Sequence, residues 1–188
     1  ATCSSSHCPN PAGGSVTIKA PAEAELIYDG SAKAATLEGA FTNDKSNPEI
    51  SYTMGSEPGN NLTGGSLPTD AGTYTASITV GGVTASVDYT IAKAAPTAGD
   101  FDFSLSGGSL IYNGDVRTAE VDAKSGINGM GAITAVKYYQ GETAVEKPID
   151  AGTYTVRINV AEGTNYKAAE VTDDTWTFTI VRNENAPI

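Results

Sequence analysis

The chain has 188 residues, with 22 Asp plus Glu against 11 Lys plus Arg, so its formal net charge is −11 and its sequence pI is near 4.3. An acidic surface repels phosphate backbones, which excludes nucleic-acid binding; apolar runs of only a handful of residues exclude membrane insertion by a helix; and a single His leaves Ser-His-Asp or His-ligated metal chemistry without material. The 39% hydrophobic fraction suffices for packed cores, in one large domain or two small ones.

Residues 1–14 read as a Cys-containing segment or linker. Cys3 and Cys8 lie close together in CSSSHC. In an exported protein two such thiols form a small disulfide loop. Two readings compete with that one: a metal site including His7, which offers three ligands where structural zinc takes four, and free thiols. The first residue is Ala and no signal peptide is visible, so we expect a piece of a longer polypeptide, with residues 183–188 as a C-terminal linker.

The rest of the chain repeats itself. LIYDG at Leu26–Gly30 returns 84 residues later as LIYNG at Leu110–Gly114, and DAGTYT at Asp70–Thr75 returns 80 residues later at Asp150–Thr155. ISY at 50–52 parallels VKY at 136–138, and VDYTIAK at 87–93 parallels WTFTIVR at 176–182. The order is preserved and only the spacers differ, which marks a tandem duplication. We expect unit 1 over residues 15–93, a semi-rigid Ala- and Pro-containing spacer over 94–100, and unit 2 over 101–182.

Within unit 1, Tyr74, Ala76, Ile78 and Val80 alternate with Thr and Ser, and the alternation resumes after Gly81-Gly82 with Val83, Ala85, Val87, Tyr89 and Ile91. Period-two patterning on both sides of a two-Gly turn predicts a hairpin. Tyr154, Val156, Ile158 and Val160, then Trp176, Phe178 and Ile180, repeat the pattern in unit 2. The Ala-rich stretch 31–39 resembles a helix by composition, but its counterpart 115–122 reads as a strand. The expectation is therefore all-β, two small Ig-like sandwiches, with β-grasp-like units carrying one helix at 31–39 as the alternative. In Ig-like sandwiches a Tyr entering a strand at this place bonds back to upstream backbone. Asp70, Gly72 and Tyr74, and Asp150, Gly152 and Tyr154, are accordingly expected as structural corners, with Asp satisfying turn amides and Gly taking φ > 0.

The combination of Tyr-Asp/Asn-Gly, a central Tyr, P-x-D-A-G-T-Y-T and a closing Tyr/Phe-Thr-Ile strand resembles the MBG/YDG-type repeats of bacterial cell-surface proteins. The likeness runs roughly from Ser15 to Arg182 and is closer in unit 2, through Tyr112–Gly114, Gly129–Thr134, Tyr138–Tyr139, Pro148, Asp150–Thr155, Tyr166 and Trp176–Ile180. The resemblance implies an extracellular, multidomain protein in which such repeats form stalks or adhesive arrays. It implies no enzyme activity.

Searching the residues for chemistry yields little. No P-loop, HExxH or G-x-S-x-G occurs, and Gly126, Gly129 and Gly131 make a Gly-rich loop without βαβ context. Asp100 and Asp102 at the join, and Asp173 and Asp174 before the last strand, are candidate calcium ligands, although the Asp-x-Asp-x-Gly loop is missing. Tyr139 and Tyr166 are candidate sugar-stacking rings. Trp176 shares parity with Phe178 and Ile180 and belongs to the core. The functional expectation is a non-catalytic stalk, spacer or adhesion module whose partners are other domains of its polypeptide and host or cell-surface glycans or proteins. The alternatives are a carbohydrate-binding module and an accessory module of a larger secreted enzyme.

Overall fold

A computed structural model of the chain describes residues 16–38, 49–55, 62, 65–80, 83–106 and 110–184. The chain is all-β, built from several small antiparallel sheets, and divides into two compact units, 1–93 and 94–188. Cys3, Cys8, His7 and the Gly81-Gly82 turn lie outside the described residues. Among those described, no helix is long and apolar enough to cross a membrane.

In the first unit β1 (Thr17–Lys19) pairs with β2 (Thr36–Glu38), and β3 (Ser51–Met54), β4 (Gly72–Val80) and β5 (Val83–Ile91) form a second sheet in that order. β1 lies against β4 and β5, so the unit has two layers. The expected alternation is realised in central β4, where Tyr74, Ala76, Ile78 and Val80 are all buried. Edge strand β5 buries only Tyr89 and Ile91, and Val83 is 42% exposed, because a strand paired on one side lacks neighbours to cover its far end. Residues 31–35 are not helical and 36–38 form β2, so the helix of the β-grasp-like alternative is absent there. Single 3-10 turns lie at Glu23–Glu25 and Ala98–Asp100.

The second unit pairs β6 (Phe101–Ser106) with β7 (Thr118–Ala123). It also has a four-stranded sheet of β8 (Ile133–Gln140), β9 (Thr143–Val145), β10 (Gly152–Val160) and β11 (Ala169–Ile180), ordered β11-β10-β8-β9. Its core is more aromatic: Trp176 stacks on Phe103 at 5.8 Å and meets Phe101 edge-on at 6.3 Å, while Phe178 stacks on Tyr154 at 5.3 Å. β11 holds a bulge. Thr155 faces Thr177 and Arg157 faces Thr172, so residues 173–176 stand opposite Val156 alone. Asp173 Oδ1 fixes it, accepting from Thr175 N at 2.8 Å and Thr175 Oγ1 at 2.6 Å. The bulge resets parity, so Val171 and Trp176, five positions apart, both point inward.

Residues 94–100, expected as a spacer, are built into the second unit. Ala94 N donates to Asn165 O at 3.0 Å, and Lys167 N donates to Ala94 O at 2.9 Å. Asp100 Oδ2 accepts from Thr97 N and Thr97 Oγ1, closing a capping box on the 3-10 turn. Pro96 stiffens the stretch, but its order comes from these bonds.

Both corners are pinned from the strand side. Tyr74 Oη donates to Asp70 O at 2.9 Å and Tyr154 Oη to Asp150 O at 2.8 Å. The two glycines differ: Gly152 takes φ +155°, as expected, whereas Gly72 is not at positive φ, and both positions also demand space, since a Cβ at Gly72 would press on Met54 and one at Gly152 on the Gln140 side chain. Burial raises the hydroxyl pKa of Tyr52, Tyr74 and Tyr89 in the first unit, and of Tyr154 in the second.

Tyr74→Phe and Tyr154→Phe each remove one such bond while keeping the ring, and should each cost their own unit about 0.5–1.5 kcal/mol in urea unfolding. The phenols also set an alkaline limit. An unfolded Tyr loses its proton near pH 10 and these folded ones later, so above about pH 10 the unfolded chain binds fewer protons and stability falls as pH rises. Urea midpoints measured against pH should be flat between about pH 7 and 9 and then drop, more steeply for the first unit, which holds three of the four.

Candidate functional site

The feature that recurs most completely is the Tyr-Asp/Asn-Gly turn and the irregular segment after it. In the first unit Gly30 takes φ +78°, and Asp29 Oδ1 accepts from Ser31 N at 2.8 Å, an Asx turn. Asp29 Oδ2 pairs with Lys33 Nζ at 2.8 Å. Lys33 is only 7% exposed. Its amide donates to Pro68 O at 2.8 Å, its carbonyl accepts from Tyr89 Oη at 2.6 Å, and two residues later Ala35 N donates to Tyr52 Oη at 3.1 Å. The hydrogen bond from Lys33, then that from Ser31 N, hold the Asp29 carboxyl below the usual carboxylate range.

The second unit repeats this 84 residues on with altered chemistry. Gly114 takes φ +84°, and Asn113 Oδ1 accepts from Asp115 N at 3.0 Å. Arg117, also 7% exposed, replaces the lysine. It donates from Nη2 to Asn113 Oδ1 at 2.8 Å and to Ile111 O at 3.3 Å, while its amide donates to Pro148 O at 2.8 Å. Ala119 N donates to Tyr138 Oη at 2.9 Å. Arg117 Nε is buried without a hydrogen-bond partner. Where the first unit seats its cation on a carboxylate, the second seats it on a neutral amide.

Each turn also closes its unit. Tyr28 N donates to Ala92 O at 2.9 Å and Ala92 N to Leu26 O at 2.9 Å; Tyr112 N donates to Val181 O at 2.8 Å and Val181 N to Leu110 O at 2.8 Å. These are parallel bridges between the stretch entering the turn and the residue just past the last strand. Beside the first turn lies an open groove of about 570 Å³ lined by Pro21, Glu25, Tyr28, Asp29 and Lys33 among others.

Reading the sequence passed over Lys33 and Arg117. The signal was present: a cation five residues after the Tyr of each Tyr-Asp/Asn-Gly, at the same 84-residue offset as the motif itself.

The candidates named from sequence are scattered. Tyr139 points away from the core, as strand alternation beside buried Tyr138 requires, and Arg157 covers its ring with the guanidinium carbon 4.5 Å from the centroid. Glu170 bridges Arg157 at 3.5 Å and Lys137 at 3.0 Å, and these cations, Lys137 foremost, lower its pKa. A hollow of about 390 Å³ adjoins, lined by Val136, Tyr139, Val145 and Glu146 among others. Tyr166 is 8% exposed, which removes it as a stacking surface: it sits where Ala94 pairs across the 161–167 loop. Asp100 is occupied in its capping box and Asp173 in its bulge. Asp102 lies on the exposed side of β6 opposite Asp122, and Asp174 is exposed within the bulge. Among the described residues no group of three or more His, Cys, Asp or Glu gathers to hold a metal.

Asp29→Asn would convert the first turn into the form of the second, leaving Lys33 with an amide. It should destabilise the first unit by about 1–3 kcal/mol, the range for a charged hydrogen bond lost to a buried partner, read as a shift of its urea midpoint with the second unit unmoved. No family model matches the chain, and neither a curated protein nor a solved structure does.

Proposed function

We propose that the chain is a pair of non-catalytic spacer and interaction modules of an extracellular bacterial surface protein, of the MBG/YDG type that its motifs resemble. The observation that carries this reading is the way each unit ends. The parallel bridge at Ala92 ties the exit of the first unit to the stretch that follows β1 and enters its Tyr-Asp-Gly turn, and Val181 ties the exit of the second to the stretch that follows β6. Tension that reaches this stretch through β1 or β6 from one side, and the exit from the other, loads the paired bonds of a parallel bridge in shear, so they break together instead of unzipping. Ala92 bonds within the first unit and Ala94 within the second, with Lys93 the one residue between them. A tie of that length has no slack to take up tension, which suits a spacer.

Carbohydrate binding, the alternative from a different class, needs a free aromatic face. Tyr139 is the outward ring in question, and Arg157 occupies one side of it. The spacer reading is therefore preferred.

Stretching the chain between handles at its two ends tests the proposal. Two discrete unfolding events are expected, each releasing about 250–300 Å of chain at roughly 3.5 Å per residue. Smooth extension at low force, with no discrete events, would overturn it.

A further inference from the structure

The second unit buries a guanidinium whose partner at the turn is Asn113, and Asn113 is followed by Gly114. We propose that Asn113 is a site of spontaneous deamidation, through which the chain makes for Arg117 the carboxylate that Asp29 already supplies to Lys33. The backbone nitrogen of Gly114 attacks Cγ of Asn113, forming an N–Cγ bond. The Cγ–Nδ2 bond breaks, and the side-chain nitrogen leaves as ammonia, taking up the proton given up by the Gly114 amide. Water then opens the cyclic imide. Cleavage of the new N–Cγ bond leaves aspartate at 113, and cleavage at the backbone carbonyl leaves isoaspartate. The net change is one water consumed and one ammonia released.

Three features of the turn favour the step. Gly114, with no Cβ and φ +84°, leaves the attacking nitrogen uncrowded; a Cβ placed there would meet nothing within 4 Å. Asn113 Oδ1, which takes negative charge as Cγ is attacked, already accepts from Arg117 Nη2 at 2.8 Å and Asp115 N at 3.0 Å, two donors aimed where the charge develops. Asn113 Nδ2, the leaving nitrogen, donates to Asp115 Oδ2 at 2.7 Å, a carboxylate placed to relay its proton.

The product has a template in the same chain. Asp29 makes the same Asx turn and holds its cation at 2.8 Å. A carboxylate at 113 gives Arg117 a charged partner in a site where it is 7% exposed and its Nε is unpartnered. Asp115, which is exposed, turns its carboxylate to solvent once the amide donor is gone.

The test is made on the full chain, incubated at mildly alkaline pH and mapped by peptide mass spectrometry. Asn128–Gly129, in a loop packed against Thr164 and Asn165, supplies the same dipeptide as an internal comparator. Asn113 should gain the mass that replacing NH2 by OH brings at least about tenfold faster than Asn128, and Arg117→Leu should slow it by a similar factor. An isoaspartyl methyltransferase assay should label fewer than half of the converted chains, which leaves aspartate as the main product. Independently of any loss of folding in the Arg117 variant, Asn113→Asp, the product made directly, should raise the melting temperature of the second unit by about 4–8 °C. Conversion at Asn128 with Asn113 unchanged, isoaspartate as the main product, or Asn113→Asp melting at or below the wild type would each overturn the proposal.

Discussion

Each unit has to seat a turn and an extended run of backbone that lie outside its sheets. Residues 28–35 and 112–117 carry them, exposed for the most part but with Lys33, Ala35 and Arg117 buried, where unpaired amides and carbonyls are costly. The solution is the same twice. A proline carbonyl, of Pro68 or Pro148, takes the amide of the buried cation, and a tyrosine hydroxyl, of Tyr52 or Tyr138, takes the amide two residues on. That carbonyl lies two residues before the Asp whose own carbonyl the corner tyrosine grips. Turn, corner and central strand therefore stand or fall together, which is why motifs far apart in the chain recur as a set.

The copies diverge where one position can change without disturbing that set. Tyr89, whose hydroxyl holds the Lys33 carbonyl, gives way to Phe178, which has no hydroxyl and stacks on Tyr154 instead. Lysine becomes arginine as aspartate becomes asparagine, and the guanidinium Nη2 reaches the Ile111 carbonyl as well as the amide oxygen. The last strand lengthens from nine residues to twelve and absorbs the extra length in a bulge that brings Trp176 inward over Phe103. The second unit relies more on aromatic packing and less on hydroxyl bonds than the first.

How far the sequence could be read follows from these differences. Central strands β4 and β10 were plain because a strand flanked on both sides buries every second residue, and the Asp-Ala-Gly-Thr-Tyr corners because a repeated motif fixes a repeated geometry. Tyr166 was misread because a loop has no parity to say which way a ring points. Residues 94–100 were misread because Ala and Pro suit a spacer by composition, while their bonds to Asn165 and Lys167 are long-range and leave no local trace. Lys33 and Arg117 were missed for a simpler reason: charged residues are mostly exposed, so a cation in an irregular stretch reads as surface. The aspartates at 100 and 173 looked available for a cation because their occupation by neighbouring Thr side chains is a matter of backbone geometry.

A buried cation is a poor source of net stability, since desolvation offsets most of what its partner contributes. Its recurrence in both copies is better understood as a means of fixing register. The residues around the turn, Leu26-Ile27-Tyr28 and Leu110-Ile111-Tyr112, are apolar, and Ile27 and Ile111 are exposed, so hydrophobic burial alone would tolerate a slip by one position. Such a slip would move Tyr28 or Tyr112 out of the core and break the parallel bridge at Ala92 or Val181. The pair at Lys33 or Arg117 spans the three residues between the cation and the Asx side chain, and the same buried residue's amide is bonded to Pro68 or Pro148, a combination satisfied in one alignment only. The buried cation and its bonds thus hold in place the bridge that closes the unit, giving a single closed alignment that a slightly deeper core would not specify.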